Sequence, residues 1–324
     1  MLASIRSLVG GVVLALVVAA CSFAPPAPDR EVTSVTSLPK IIAHRGGTGD
    51  APENTLEAIR LSIAHHADVM WLSVQLSKDG VPVLYRPADL SALTDAHGPV
   101  SAYTVSELAR MNAGWSFLRD GAYPYRAQPL GIPTLRDALR AIPLGMPVIL
   151  DMKALPAEAQ TQAVAHVLDE EKAWSRVSIY STEAEYQQSF AAYPQAGLFE
   201  SRDATRGRLV RVLLNQGCVD APSEHALTAF ELHRALTVVE KFTLGEGQTE
   251  VQATLWTPAT VACFRQKPDV HIVAIAVNDA DDYRTAACLG IDAVLADSPL
   301  KMVAVRTGVT MPLKCPRPDA QGLR

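Results

Sequence analysis

Short apolar runs rich in β-branched residues alternate along the chain with longer stretches whose apolar positions recur at helical spacing. KIIAHR (40–45) predicts a strand and ENTLEAIRLSIAHHA (53–67) a helix. VMWLSVQL (69–76) and VPVLYR (81–86) predict two strands, joined by the turn signature SKDG. TVSELARMNA is a helix opened by a capping box, with Thr104 as cap and Glu107 three residues on, and TLRDALRAI is a helix with a Thr cap. The alternation then continues through MPVILDMK, AEAQTQAVAHVLDEEK, RVSIYS, TEAEYQQSFAAY and QAGLFES. A helix near HALTAFELHRA, the strand TVVEKFTL, the helix TPATVACFRQ, the strand HIVAIAV, the helix DADDYRTAACLG and the strand AVLAD complete it.

That count approaches eight β/α units, with one extra segment between about Pro87 and Gly131. Repeated βα alternation favours a parallel sheet covered by helices. Near-eight repeats favour a closed (β/α)8 TIM barrel over a doubly wound sheet. No break interrupts the run after Lys40, so residues 40–305 read as one barrel domain and 306–324 as a C-terminal tail.

The N-terminus has another character. Arg6 precedes the apolar run LVGGVVLALVVAA, which is short for a membrane-spanning helix. Val18-Ala19-Ala20-Cys21 resembles a bacterial lipobox, which implies a signal peptide over 1–20 and lipidation of Cys21. An ordinary secretory signal or an uncleaved anchor remains the alternative. Residues 21–39, rich in Pro, Ser and Thr, read as a tether. The expected location is the cell envelope, lipid-anchored, with Ser22 permissive for the outer membrane facing the periplasm.

Composition narrows the partners. With 48% apolar residues among 324, core material is ample. A formal net charge of −5 without a basic stretch argues against nucleic acid. Beyond Cys21 the chain has Cys218, Cys263, Cys288 and Cys315, an even number that permits disulfides in an exported protein but matches no zinc spacing. Cys263 and Cys288 sit in apolar helical patterns and read as buried free thiols; any pairing is unreadable from sequence.

Barrel chemistry gathers where strands end. His44 and Arg45 stand at such an end, followed by Gly46-Gly47. An imidazole and a guanidinium there suit acid/base work beside a phosphate, and the glycines would admit a phosphate close to the backbone. HRG, then APENT, a helix, and a strand leading into KDGVPV together resemble the glycerophosphodiester phosphodiesterase family. TDAHGPVSAYTVSELARMNAG, IPTLRDAL, VILDMK, IAVNDADD and GIDAVLADSP extend the resemblance from about Pro39 to Met302, weakest over 183–267.

The resemblance implies a TIM barrel that hydrolyses glycerophosphodiesters to glycerol 3-phosphate and an alcohol. It also implies two His residues and a Ca or Mg ion held by an E-x-D pair and a later Glu. Carried over position by position, the first His is His44, beside Arg45. The E-x-D pair falls at Trp71 and Ser73, the second His at Arg86, and the last carboxylate at Asp151, with Lys153 two residues on. An Arg is a poor proton shuttle, and one Asp holds a cation badly. No metal cofactor is therefore expected.

Two accounts fit. In one the barrel is a pseudoenzyme that binds a phosphodiester or another small anion, with Arg86 and Lys153 as substrate-binding groups and Asp151 a vestigial ligand. In the other, Arg86 supplies the charge of the missing ion, a solution that bacterial phosphatidylinositol-specific phospholipases C resemble, or a rebuilt site retains turnover. His97 in the insertion is a candidate replacement acid; His65 and His66 lie on the first helix. Each residue also has a plainer role. His44-Arg45 can simply hold the loop, Glu53 and Asn54 can pin it and cap the helix, and Asp151 and Lys153 can form an interior ion pair. Trp71 can fill the vacated ion position, Glu240-Lys241 can be a solvated strand end, and Trp256 can pack at a helix start.

Overall fold

The structure is a computed structural model, and it describes residues 33–315. The stretch read as a signal peptide, Cys21 and the last residues of the tail lie outside the described residues.

Eight parallel strands form the barrel: β1 (Lys40–His44), β2 (Val69–Leu76), β3 (Val148–Met152), β4 (Val177–Tyr180), β5 (Gly197–Leu198), β6 (Leu227–Glu231), β7 (His271–Ile275) and β8 (Ala293–Ala296). Their order is β5-β4-β3-β2-β1-β8-β7-β6. A bridge between Phe199 and Leu227 closes the ring between β5 and β6. The main helices are α1 (Leu56–Ala64), α2 (Leu135–Ala141), α3 (Ala157–Glu170), α4 (Glu185–Ser189), α5 (Arg202–Asn215), α6 (Pro258–Phe264), α7 (Ala280–Cys288) and α8 (Pro299–Thr307).

Strand alternation sorts side chains into two cores. Outward residues such as Ile41 and Ala43 join the layers beneath the helices. Inward residues, among them Ile42, Trp71, Ile149, Tyr180, Phe199 and Leu295, fill the barrel. The expected TIM barrel is thus the observed fold.

The strand Pro82–Leu84 runs antiparallel to β2 and stands off the ring. The following insertion has its own small core around Tyr85, Leu90, Val100 and Leu108. The capping box at Thr104 and Glu107 forms as read. Thr55, rather than Asn54, caps α1.

The second half departs from expectation. HALTAFELHRA supplies β6, not a helix: Leu227 and Phe230 fall at a helical interval, but pairing with β7 decides the conformation. TVVEKFTL is no barrel strand. It belongs to an antiparallel ribbon, His233–Phe242 with Gly245–Thr254, inserted between β6 and α6, so LGEGQTE is largely the return strand rather than a loop. Helix α5 carries no expectation from sequence, because its apolar face is narrow, with Thr205, Leu209 and Val212 as its buried residues.

The thiols are not free. Cys218 bonds Cys263, and Cys288 bonds Cys315. The second bridge ties α7 to a strand, Leu313–Cys315, that pairs with Thr33–Val35. Both strands fall in stretches read as tether and tail. Among the described residues no helix is long and apolar enough to cross a membrane.

Candidate functional site

The C-terminal strand ends converge on one mouth. His44 ends β1, and its Nδ1 lies 2.6 Å from Oδ1 of Asp297, which directly follows β8. Asn278, after β7, donates from Nδ2 to the other Asp297 oxygen at 2.9 Å, and its own Oδ1 accepts the Asp297 N–H at 2.8 Å. A carboxylate only accepts, so Nδ1 carries the proton and Nε2 is left to meet a ligand. The His44 hydrogen bond holds the Asp297 carboxyl below its ordinary range, against the opposing effect of burial. An oriented imidazole of this kind is equipped to take or give a proton.

The loop after β1 is built for closeness. Arg45, Gly46 and Gly47 all have positive φ. A Cβ on Gly47 would stand 2.4 Å from the Ser62 hydroxyl of α1, and one on Gly49 would stand 3.1 Å from the Asp297 carbonyl oxygen. The glycines therefore serve the approach of helix and strand, not of a phosphate. Their N–H groups are also taken: Gly46 donates to the Ala43 and Trp71 carbonyls, and Gly47 to that of His44. Arg45 points its guanidinium at Glu53, 2.5 Å away, and Thr48 donates to the same oxygen. Asn54 accepts the Ser73 N–H at 2.9 Å and so fastens this loop to β2. Among the described residues, Glu53 Oε1 and Asn54 Nδ2 are buried without a partner.

The family's cation positions hold a different arrangement. Trp71 is 2% exposed, its ring tilted against Tyr180 at 4.7 Å and edge-on to Phe199 at 6.3 Å. Ser73 lies within 3.4 Å of Asp151. The Lys153 ammonium stands 2.9 Å from the other Asp151 oxygen. Burial pushes the Asp151 carboxyl up, while the Lys153 charge and hydrogen bond oppose the shift. Among the described residues no three His, Cys, Asp or Glu side chains converge. An indole, a hydroxyl and one carboxylate already countered by an ammonium do not fit a hard divalent ion, which takes six or more oxygens as Ca or near-octahedral oxygens as Mg.

Further round the mouth, Arg202 opens α5 and grips Glu231 at the end of β6, at 2.5 and 2.7 Å. It also stacks on Phe230, 4.6 Å from the ring centre. Arg234 reaches Glu231 at 3.1 Å. Burial pushes the Tyr180 hydroxyl up to about 12, with the Arg202 guanidinium working against it.

Arg86 is exposed and, among the described residues, has no hydrogen-bond or ion-pair partner. Its backbone is held: the Gln75 amide donates to the Tyr85 and Pro87 carbonyls on either side, and Tyr85 N–H donates to the Ser73 carbonyl. His97 lines a separate cavity of the insertion with Trp115 and Arg126. His65 faces Asp50 at 3.4 Å. Glu240 and Lys241 lie on the ribbon. Trp256 is buried and donates to the Phe230 carbonyl.

The structure thus gathers His44, Ser73, Asp151 and Lys153 at the mouth. To these it adds Asp297, Asn278, Tyr180, Arg202 and Glu231, none of which was read as a site residue. Asp297 and Asn278 had a signal, since each follows a barrel strand. Arg202 had a signal of the same kind, standing directly after the strand QAGLFES, whereas Glu231 had none, because HALTAFELHRA reads as a helix.

Comparison with known proteins agrees with this architecture. The glycerophosphoryl diester phosphodiesterase family model matches residues 44–301. An uncharacterized protein of Mycobacterium tuberculosis (strain ATCC 25618 / H37Rv), Rv2277c, is 48% identical over 269 residues, covering 82% of this chain and 89% of its own. The crystal structure of that protein's glycerophosphoryl diester phosphodiesterase domain has a TM-score of 0.78 at 45% identity, covering 83% of this chain and all of the domain. A phosphodiesterase of Oleispira antarctica, solved with the product sn-glycerol-3-phosphate, shares the fold with a TM-score of 0.61 at 22% identity, over 83% of this chain and 97% of its own. The chain belongs to the glycerophosphoryl diester phosphodiesterase family.

Proposed function

We propose that this barrel binds a phosphodiester, or another small anion of that kind, at its C-terminal mouth, and that metal-dependent hydrolysis by the family route is impaired. The observation that carries this reading is the trio at the cation positions. Trp71 lies in an aromatic layer, Ser73 contributes a hydroxyl, and Asp151 is paired with Lys153. The test is incubation of the protein with glycerophosphocholine and Ca²⁺ or Mg²⁺, with phosphorus NMR to follow glycerol 3-phosphate. No product beyond background is expected, whereas robust turnover abolished by a chelator sinks the proposal. Binding is tested by calorimetry with glycerol 3-phosphate. Arg86→Ala should weaken it roughly tenfold or more, as loss of a charge-assisted hydrogen bond implies.

The 2.6 Å contact between His44 and Asp297 favours a second reading, in which turnover persists without a cation. His44 then moves the proton and Arg86 meets the phosphate charge. Product release that is indifferent to chelator and lost in His44→Ala distinguishes it from the first.

We also propose export and lipid anchoring through Cys21, facing the periplasm from the outer membrane. Two disulfides support an oxidising compartment. Labelled palmitate incorporated by the protein, but not by Cys21→Ser, is the expected result in expressing cells; equal labelling of the two rejects it.

A further inference from the structure

The opposite end of the barrel holds a cavity of about 570 Å³. It lies at the strand N-termini, where Lys40 opens β1 and His271 opens β7. Its wall is aliphatic and aromatic: Ile42, Val69, Ile149, Phe199 and Val273, with Ala293 leaving room beside them. Val35 and Leu38 border it from the segment entering β1. Phe199 belongs to the aromatic layer with Trp71 and Tyr180, so that layer lies between this space and the mouth. A space of this volume matches small-molecule sites, which are concave and mostly apolar with few polar groups.

The charged groups at its edge decide the class of occupant. Asp292 is committed, holding Arg265 at 2.8 Å and the Ile272 N–H at 2.6 Å. Lys40 and His271 are exposed and, among the described residues, have no side-chain hydrogen bond or ion pair. The uncommitted charge is therefore the Lys40 ammonium, and it sits beside apolar walls. We propose that this N-terminal cavity binds an anionic amphiphile with a single aliphatic chain, such as a medium-chain fatty acid. The chain lies against Ile42, Ile149 and Val273, and the carboxylate meets Lys40. Burying methylenes supplies the affinity. The cation selects an anion over a neutral head. This inference is independent of what happens at the mouth.

Calorimetric titration of the full chain with dodecanoate, and separately with dodecanol, tests it. Saturable binding of one dodecanoate per chain is expected, at least tenfold tighter than dodecanol. Lys40→Glu, a change on an exposed side chain, should weaken dodecanoate at least tenfold and leave dodecanol within about twofold. Ala293→Phe should abolish both, with circular dichroism confirming the fold. Saturating glycerol 3-phosphate should not displace the ligand. Absent dodecanoate binding, an unchanged affinity in Lys40→Glu, or displacement by glycerol 3-phosphate each overturns the proposal.

Discussion

Replacing Lys153 with Met tests whether Asp151 is held as one half of an ion pair. The ammonium is 2.9 Å from a carboxylate that is 7% exposed. The backbone at 153 is fixed by its N–H bond to the Val74 carbonyl, so the substitution removes charge without freeing the chain. Breaking one side of a buried pair costs about 3–5 kcal/mol. Asp151 has an escape, which is to bind a proton. With an unfolded pKa of about 3.9, holding that proton to pH 7 costs about 4 kcal/mol, and to pH 5 only about 1.5 kcal/mol. The sign follows from proton counts. Burial already raises the Asp151 pKa, so between its unfolded and folded values the native state binds more protons than the unfolded state. Unfolding free energy therefore falls as pH rises through that window, and removing Lys153 extends the window upward. Urea unfolding of wild type and Lys153→Met at pH 5, 6 and 7 reads the difference. At pH above the wild-type folded pKa and below the variant's, the variant's deficit should grow by about 1.4 kcal/mol per pH unit. Asp151→Asn added to Lys153→Met should remove that slope. An equal deficit at pH 5 and pH 7, or a slope that survives in the double variant, refutes the reasoning.

Three further outcomes are expected. Trp71→Glu with Ser73→Asp should create a Ca²⁺ site of about 0.1–1 mM where wild type shows none by calorimetry, with thermal melts checking the fold because loss of a core Trp costs about 3–5 kcal/mol. Reducing the disulfides should lower the urea midpoint, Cys218–Cys263 more than Cys288–Cys315, since they close spans of 45 and 27 residues and are worth up to about 4.0 and 3.6 kcal/mol in the chain-entropy account. Asp297, with its pKa lowered by His44, contributes stability above its unfolded pKa that disappears as pH falls through the lower folded value; Asp297→Asn should flatten the acid limb of stability below about pH 4, measured by denaturant unfolding.

Much of the frame is legible because its signals are local. Thr104 and Thr134 each cap the helix that follows directly, and β1, β7 and β8 are short apolar runs of five residues or fewer. The ion pair of Asp151 with Lys153 is legible for the same reason, since a spacing of two on a strand shares a face. The stretch from Arg202 to Thr254 is not. Its barrel strand LTAFE has a helical interval, while its most strand-like run, TVVEKFTL, extends into solvent as a ribbon. Both have the conformation their neighbours impose, and propensity names no neighbour.

Other partners at the mouth escape local reading. His44 and Asp297 are 253 residues apart and meet only because β8 lies beside β1. Ion pairing decides what each cation can do. Arg45 is bound to Glu53, Lys153 to Asp151, and Arg202 and Arg234 to Glu231. A guanidinium or ammonium already answered by a carboxylate gains little from an incoming anion, which must displace that carboxylate or share the cation with it. Arg86 carries no such partner among the described residues, and the backbone on either side of it is fastened to β2 through Ser73 and Gln75. Anion binding should therefore respond strongly to Arg86→Ala and weakly to Arg202→Lys, although Arg202 makes more contacts in the structure.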